Sequence, residues 1–435
     1  MLLFLASCIT NRLRYTVDLM LREMLGLKVE MTTSADQFRL YDGPKIAYSD
    51  ALFPDALNIE SSGLLFEAGI RQLGLKTTWF DSVPVLFQSD SPGYPLPYDP
   101  FSATFFMVSR YEEYLPYMKD NYGRFPVTAS VAWEGRFLEI PVVHLWTGMV
   151  GKLLEQQFPG IQIRRREYRF VPTIDVDHAF CYRCRPLLRT LGGIGRSFMY
   201  FELTAILHRL QVLTRLRKDP YDTYDYISEI HEKYGISPLY FMLFADYGGD
   251  DNNVSTGSKV FQRLIRKLDI VQGVGIHPSL SSNKHYLKLQ AEFDGLSDVV
   301  DRTIVHSRQH FLKISIPRTY RALNQLGIKD DYSMGYSSQP GFRAGIAIPY
   351  PFFDISRNLI TTLMIHPVIM MDVTLKDKLR LNPEKGLAKI ANLIRTVKSV
   401  DGDFVSLWHN ESLTDKGRWL GWRRVFEEMV HLAST

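Results

Sequence analysis

Short apolar runs alternate with amphipathic stretches along the second part of the chain, from Tyr168 onward. Apolar runs bounded by turn residues predict strands, and segments whose apolar positions recur at helical spacing predict helices. Strands are predicted at 169–177, 238–245, 271–277, 304–310, 333–336, 364–373 and 404–408. Helices are predicted at 221–234, 258–268, 284–303, 317–326, 383–397 and 416–433. This alternation predicts parallel strands joined by right-handed crossovers, and about seven repeats favour a barrel over an open sheet.

The first part of the chain has a less regular pattern and predicts a separate, smaller α/β unit. Strands are predicted at 2–9, 45–49 and 63–66, and helices at 11–27, 103–117 and 144–157. We therefore expect an N-terminal α/β domain of unknown role at 1–165 and a (β/α) barrel domain at 166–435. Nothing in the first of these predicts catalysis.

An insertion at 183–219 interrupts the barrel pattern and combines leucine and phenylalanine with many arginines. Its spacing predicts a basic amphipathic helical hairpin. We expect this hairpin to pack on the protein with its arginines in water. Two alternatives are a lid over the carboxylates of the first barrel strand and a peripheral contact with an anionic membrane.

Composition narrows the class of protein and of partner. Lys and Arg (51) nearly balance Asp and Glu (47) in the 435 residues, and the net charge of +4 does not predict nucleic-acid binding. Three cysteines do not make a disulfide framework in a chain of this length. No apolar run approaches the ~20 residues of a membrane span. We expect a cytoplasmic protein, and composition leaves its oligomeric state open.

Acidic and imidazole side chains follow several of the predicted barrel strands. Asp175 and Asp177 end the first strand, and His277, His310 and His409 end three others. The carboxyl ends of parallel strands converge on one face of a barrel, where ligands bind. We therefore expect these five side chains to meet there, although any one of them alone is typical of a capping residue.

This set of residue types is suited to metal-assisted hydrolysis. One carboxylate and two imidazoles suit zinc or a similar divalent ion and leave one position open for water. A second carboxylate can then act as general base, and a further histidine as general acid.

Four segments resemble, in order, the motifs of the polysaccharide deacetylases, the NodB homology group of carbohydrate esterases. They are TIDVD at 173–177, GIHPS at 275–279, GFRAG at 341–345 continuing to Pro349-Tyr350, and SLWH at 406–409. The resemblance covers about 169–412. It is closest to a divergent branch with RQHF at 308–311 and MDVT at 371–374, in which an uncharacterised domain precedes the deacetylase-like one. Residues 1–165 would be that domain.

The resemblance implies a deformed (β/α)7-type barrel and a hydrolase that removes an N- or O-linked acetyl group from a carbohydrate with a divalent metal, Zn²⁺ for preference. It implies that Asp175 is the general base and Asp177 a metal ligand. It also implies that His277 is the first histidine ligand, His409 the general acid, and Arg343 the arginine that orients the base.

Two positions depart from the pattern of that family. Val176 separates the two aspartates, which are usually adjacent, and leaves open which is the base and which the ligand. Ser281 occupies the place of the second histidine ligand. We predict that His310 from the neighbouring strand replaces it, with His178 as the alternative.

Substrate contacts are predicted for Tyr350 and Trp408, which can stack on a sugar, and for Asp372, which can hold His409 or a substrate hydroxyl. The alternatives are core positions for the aromatic residues and a helix cap for Asp372. The competing function is a catalytically silent barrel that binds glycan or scaffolds a glycan-assembly pathway. The change at Ser281 favours it, and the retained acids and histidines favour the enzyme.

Overall fold

The computed structural model describes most of the chain. The described residues are 1–164, 166–185, 191, 195, 198–199, 201, 203–248, 251 and 253–435. Twelve of the omitted residues fall within the predicted insertion 183–219: 186–190, 192–194, 196–197, 200 and 202. The predictions made for these twelve residues lie outside the described part.

A parallel sheet of four strands, in the order β2-β1-β3-β4, forms the centre of the N-terminal part. Its strands are β1 Leu2–Ala6, β2 Val29–Thr32, β3 Lys45–Tyr48 and β4 Leu57–Ile59. Every residue of β1 is buried, which explains why this strand is apolar throughout rather than alternating. An antiparallel hairpin follows, made of β5 Thr78–Phe80 and β6 Val83–Val85.

Helices surround this first sheet. They are α1 Asn11–Val17, α2 Ala35–Leu40, α3 Pro100–Val108, α4 Val131–Glu134 and α5 Val142–Gln157. The predicted helix 11–27 is confirmed as α1, which continues as a π-helix over Asp18–Met24. The side chain of Thr10 caps α1 by accepting a hydrogen bond from the backbone of Leu13. The predicted strand 63–66 is wrong, because Gly63 adopts a φ of 86° and begins a 3-10 turn.

Nine strands form the second sheet, in the order β12-β13-β11-β10-β9-β8-β7-β15-β14. They are β7 Arg169–Val176, β8 Leu239–Met242, β9 Val274–Ile276, β10 His306–Ser307, β11 Asp330–Met334, β12 Tyr350–Asp354, β13 Leu359–Pro367, β14 Met370–Met371 and β15 Asp403–His409. All neighbouring pairs are parallel except β12 with β13. The predicted parallel strands are thus confirmed, and β12 is an addition that the pattern missed.

The second sheet curls into a barrel-like form. Strand β13 pairs with β11, and β14, only two residues further along the chain, pairs with β15. Between them Val368 donates to the carbonyl of Met334, and Ile369 donates to that of Val405. One segment therefore contacts strands from opposite ends of the parallel series. Inside the curl lies a small apolar cluster, comprising Phe241, Leu312, Tyr332, Val368, Met371, Val405 and Leu407.

Helices follow the barrel strands, as the alternating pattern predicts. They are α6 Leu203–Leu213, α7 Tyr224–Glu232, α8 Lys259–Gln272, α9 Tyr286–Val300, α10 Arg318–Gln325, α11 Pro383–Lys398 and α12 Trp422–Ser434. Six of them begin and end close to the predicted bounds. In the part of the chain that the structure describes, no helix has the length and apolar content needed to cross a bilayer.

The N-terminal part and the barrel share one hydrophobic core. The Tyr15 ring lies 5.1 Å from that of Phe353, and its hydroxyl donates to the carbonyl of Pro351. The Phe105 ring also contacts Phe353, at 5.1 Å. Apolar packing therefore continues across the predicted boundary near residue 165.

The described part of the insertion differs from the arrangement we predicted. In α6 the leucines Leu203 and Leu207 are 60% and 59% exposed, whereas Val212 is buried. One side of the helix therefore packs on the protein, and an apolar side is left in solvent.

Candidate metal centre

Strand register places the predicted acids and histidines on one rim. Asp175 of β7 lies beside His409 of β15 on one side and beside Phe241 of β8 on the other. Asp177 follows at the end of β7, and His277 directly follows β9. All these positions are at the carboxyl ends of parallel strands, the end at which α/β folds build their sites.

Asp177 lies at the centre of the cluster. Its Oδ1 is 3.2 Å from His277 Nε2, and its Oδ2 is 3.3 Å from His310 Nε2. One ligand atom from each of these three residues lies within 4.8 Å of the other two, as a shared metal ion requires. The predicted convergence of one acid and two imidazoles is therefore present.

Each imidazole is held from behind by an acceptor. His277 Nδ1 lies 2.6 Å from the carbonyl oxygen of Arg308, and His310 Nδ1 lies 3.0 Å from Asp251 Oδ1. A carbonyl oxygen only accepts, so His277 Nδ1 carries the proton and Nε2 is free to bind a cation. Supports of this kind orient metal-binding histidines.

Carboxylates predominate among the charged side chains around the cluster. Burial alone would raise the pKa of Asp177, but His310 and His277 outweigh burial and hold that pKa well below its usual value. Burial alone would lower the pKa of His310, but Asp177 and Asp251 raise it to about 9. The pocket therefore favours positive charge at its centre, which bound protons or a metal ion can supply.

The donor set fits a divalent ion. Asp177 Oδ1 is buried and has no hydrogen-bond partner among the described residues, although His277 Nε2 is close to it. Buried carboxylate oxygens are rarely left without a partner, and a cation between the two atoms would satisfy both. Two imidazoles and one carboxylate are also a common ligand set of catalytic zinc.

Asp175 has a different partner from the one predicted. Arg308 Nη1 donates to Asp175 Oδ1 at 2.9 Å and to Thr173 Oγ1 at 2.7 Å, and the guanidinium lies 4.5 Å from the ring centre of Phe241. Both members of the Arg308–Asp175 pair are buried. Arg308 is thus the arginine that orients this carboxylate.

Arg343, to which the sequence assigned that role, lies elsewhere. Its Nη2 donates to Glu113 Oε2 at 2.7 Å and its Nε to Glu113 Oε1 at 3.0 Å. The prediction is corrected for a physical reason: Glu113 comes from the N-terminal part, and its bidentate pair satisfies the Arg343 guanidinium.

His409 is held by Asp372, as one of the predicted alternatives stated. Its Nδ1 lies 2.8 Å from Asp372 Oδ1, and its backbone N–H donates to Asp372 Oδ2 at 2.8 Å. Burial would lower the pKa of His409, but Asp372, Asp177 and Asp175 together raise it well above its usual value. His409 Nε2, 3.7 Å from Asp177 Oδ2, faces the cluster.

The two aromatic residues predicted to stack on a sugar are core residues. Trp408 is fully buried, and its indole N–H donates to the sulfur of Met429 at 3.1 Å. Tyr350 is 1% exposed and belongs to the main hydrophobic core. Alternate residues of a strand point to opposite faces of its sheet. In β15, His409 therefore points into the site, and its neighbour Trp408 points towards the helices that cover the sheet.

Two residues of this centre were missed by sequence reasoning. Arg308 belongs to the RQHF segment, but nothing in the sequence distinguishes it from the other arginines. Asp251 lies in a polar loop that matches no motif. The alternative ligand His178 instead faces Glu411, with Nδ1 2.9 Å from its Oε2. Ser281 Oγ lies 3.0 Å from Ser279 Oγ.

A cavity of about 360 Å³ opens beside the turn that carries His310. Leu312 of that turn forms part of its wall. Facing it are polar and aromatic side chains, including Thr128, Trp133, Ser337 and Gln339.

Comparison with known families gives one partial match. Residues 2–159 match a model described as a family of unknown function, DUF7033. No curated protein matches the chain.

Three solved structures show distant similarity. A protein from Mycobacterium smegmatis named as a polysaccharide deacetylase is 15% identical with a TM-score of 0.39, over 61% of this chain and 84% of that one. A protein from Pseudomonas aeruginosa PAO1 of the same name is 10% identical with a TM-score of 0.34, over 47% and 63%. The PuuE allantoinase is 10% identical with a TM-score of 0.34, over 46% and 64%. At such low similarity these likenesses say nothing of activity, and the function proposed below depends on the site itself.

Proposed function

We propose that this protein is a metal-dependent hydrolase that removes an N- or O-linked acetyl group from a carbohydrate. The observation that carries the proposal is the meeting of Asp177, His277 and His310 at one point, with Asp175 and His409 beside it. This arrangement combines a cation site with a candidate base and a candidate acid.

Asp177, His277 and His310 would hold the metal, and Zn²⁺ suits their donor atoms best. When bound, such an ion polarises a carbonyl group and lowers the pKa of a water molecule. Because Asp177 faces the imidazoles of His277 and His310 and Asp175 faces an arginine, Asp177 is the better ligand and Asp175 the better base.

Asp175 would accept the proton of the attacking water. Arg308 fixes the position of Asp175 Oδ1 and leaves Oδ2 directed towards the cluster, 3.8 Å from His277 Nε2. A carboxylate held in this way can act as a general base on a water molecule in the cluster.

His409 would donate a proton to the leaving nitrogen or oxygen. Asp372 accepts from its Nδ1 and fixes the ring, so that Nε2 points into the site. The carboxylates around it favour the protonated imidazole, which is the form that acts as a general acid.

A carbohydrate substrate suits the cavity lined by Leu312, which belongs to the same turn as His310. Its hydroxyl, amide and indole groups can bind sugar hydroxyls and cover an apolar sugar face. Trp133, 41% exposed, would be the stacking residue in place of the buried Trp408.

The test combines metal analysis with an acetyl-release assay on full-length protein, using N-acetylglucosamine oligomers and an O-acetylated glycan. We expect stoichiometric zinc in the wild type, and loss of zinc and of acetate release in Asp177→Asn and His310→Gln. Loss of the acid or base, in His409→Gln or Asp175→Asn, should lower kcat about 10²–10⁴-fold while zinc remains bound.

His306→Gln is the matched control, because His306 is the first residue of β10, at the end away from His310, and faces Asp330 of β11. It should retain both zinc and activity. Wild-type protein that binds no divalent metal at neutral pH would overturn the proposal, and so would zinc binding without acetate release from either substrate.

A further inference from the structure

Helix α6 carries an exposed row of leucines. Leu203, Leu207 and Leu210 lie at helical spacing and are between 45% and 60% exposed, and Leu216, just beyond the helix, is 81% exposed. A soluble protein rarely leaves so many neighbouring large apolar side chains in water unless the surface has a partner.

Basic side chains line a cleft of about 610 Å³ at the C-terminal end of α6, with the buried Val212 of the helix in its wall. The basic residues of the cleft are Arg183, Arg215, Arg217, Lys218, Arg263 and Lys267. Asp225 neutralises part of this charge by pairing with Lys218 and Lys267 at 2.8 Å each. Arg215 and Arg217, both exposed, form no ion pair with any residue that the structure describes.

The insertion that carries α6 begins shortly after Asp177, and its two ends are tied together. Asp219, which is buried, accepts hydrogen bonds from the backbone of Cys181, Tyr182 and Arg183, at 2.7 to 3.0 Å. This carboxylate therefore joins the start and the end of the insertion just beyond Asp177.

We propose that α6 and the adjoining basic cleft bind peripherally to an anionic phospholipid surface. An apolar helix face flanked by arginine and lysine is the arrangement that inserts between headgroups while its cations contact lipid phosphates. A second copy of this chain fits less well, because its own basic cleft would meet another of the same charge. This binding is independent of the proposed catalysis.

Vesicle co-sedimentation with the full chain tests this proposal. Vesicles of phosphatidylcholine alone are compared with vesicles containing about 30% phosphatidylglycerol, at low and high salt. We expect binding at least about tenfold tighter to the anionic vesicles and weakened by salt. The double variant Leu207→Asp/Leu210→Asp should abolish binding, and Arg215→Glu/Arg217→Glu should reduce it about tenfold or more.

Leu287→Asp is the matched control, because Leu287 is 80% exposed on α9, outside the insertion. It should bind as the wild type does, and thermal unfolding should show that all variants are folded. Equal binding to neutral and anionic vesicles, or wild-type binding by Leu207→Asp/Leu210→Asp, would contradict the proposal. A wild-type dimer that this variant converts to monomer, with no vesicle binding, would show that a second copy covers the leucines.

Discussion

Two aspartates on one strand face different partners, and this difference separates their chemistry. Asp177 faces the imidazoles of His277 and His310, whereas Asp175 faces the guanidinium of Arg308. An imidazole can exchange its proton for a metal ion, but an arginine remains charged at any relevant pH. The surroundings therefore make Asp177 suited to a shared cation, and they fix Asp175 in position beside it.

The Arg308–Asp175 pair gives a prediction at the scale of single residues. Arg308→Met leaves Asp175 buried and without its cation, which should lower the free energy of unfolding by about 3–5 kcal/mol. Adding Asp175→Asn removes that isolated charge, so the double variant should recover part of the loss. Urea unfolding of the two single variants and the double variant measures this coupling.

Arg418→Met serves as the control for that prediction. Arg418 pairs with Asp377 at 3.0 Å, but its side chain is 56% exposed. Its loss should cost less than about 1 kcal/mol. Strictly additive effects of Arg308→Met and Asp175→Asn would show that the pair has no energetic coupling.

At the level of elements, the segments that follow β7, β9 and β10 supply the three candidate ligands, and the loop after β8 connects two of those segments. Asp251, in the loop after β8, accepts from the backbone of Leu280 at 2.9 Å and contacts His310 Nδ1. One carboxylate thus ties the loop after β9 to the turn after β10. The loop that lacks a histidine at Ser281 still helps to position the candidate ligand His310.

Asp251→Ala should therefore weaken zinc binding about 10–100-fold without abolishing it. The physical reason is that His310 loses the acceptor that sets its ring orientation, while all three candidate ligands remain. Asp251→Asn should bind zinc nearly as the wild type does, because its amide oxygen still accepts both hydrogen bonds. Competition titration against a zinc indicator measures the affinities.

Asp246→Ala provides the comparison, since Asp246 is exposed on the same loop. It should leave the zinc affinity unchanged. Equal affinities of Asp251→Ala and the wild type would rule out the positioning role of Asp251.

At the scale of the whole molecule, the GFRAG segment at 341–345 joins the N-terminal part to the barrel. The backbone N–H of Phe342 donates to the carbonyl of Leu138 at 2.8 Å, and a Cβ at Gly341 would lie only 2.5 Å from that oxygen. Glu113 Oε1 accepts from both Arg343 and Arg110, and Arg110 also donates to the carbonyl of Arg343. The segment therefore forms part of the interface between the N-terminal part and the barrel.

Glu113→Gln should consequently destabilise the whole chain by about 3–5 kcal/mol, because two buried arginines lose a shared carboxylate. A single unfolding transition should move to lower denaturant concentration, since the two parts share a core. Glu139→Gln is the control: Glu139 pairs with Lys389 across the same two parts, but both side chains are partly exposed, and about 1 kcal/mol or less should be lost. If Glu113→Gln unfolded in two transitions, the second at the wild-type denaturant concentration, the two parts would not unfold cooperatively and the prediction would be wrong.

The predicted elements agree well with the structure where local pattern decides them. Most barrel strands and helices lie within a few residues of their predicted positions, because burial imposes apolar runs and helical spacing directly on the sequence. The strand Tyr350–Asp354 was missed. This strand pairs antiparallel with β13 at the edge of the sheet. It therefore does not belong to the strand–helix alternation from which the parallel strands were predicted.

The order of strands and helices, and the acids and histidines at the strand ends, can be read from the sequence, since periodicity and residue chemistry are local. The folded chain was needed to show which arginine orients Asp175, which loop holds His310, and that Trp408 and Tyr350 are buried. Those outcomes depend on contacts between residues far apart in the chain, with Glu113 taking Arg343 and leaving Arg308 to Asp175. No local pattern carries information about such competition between distant partners.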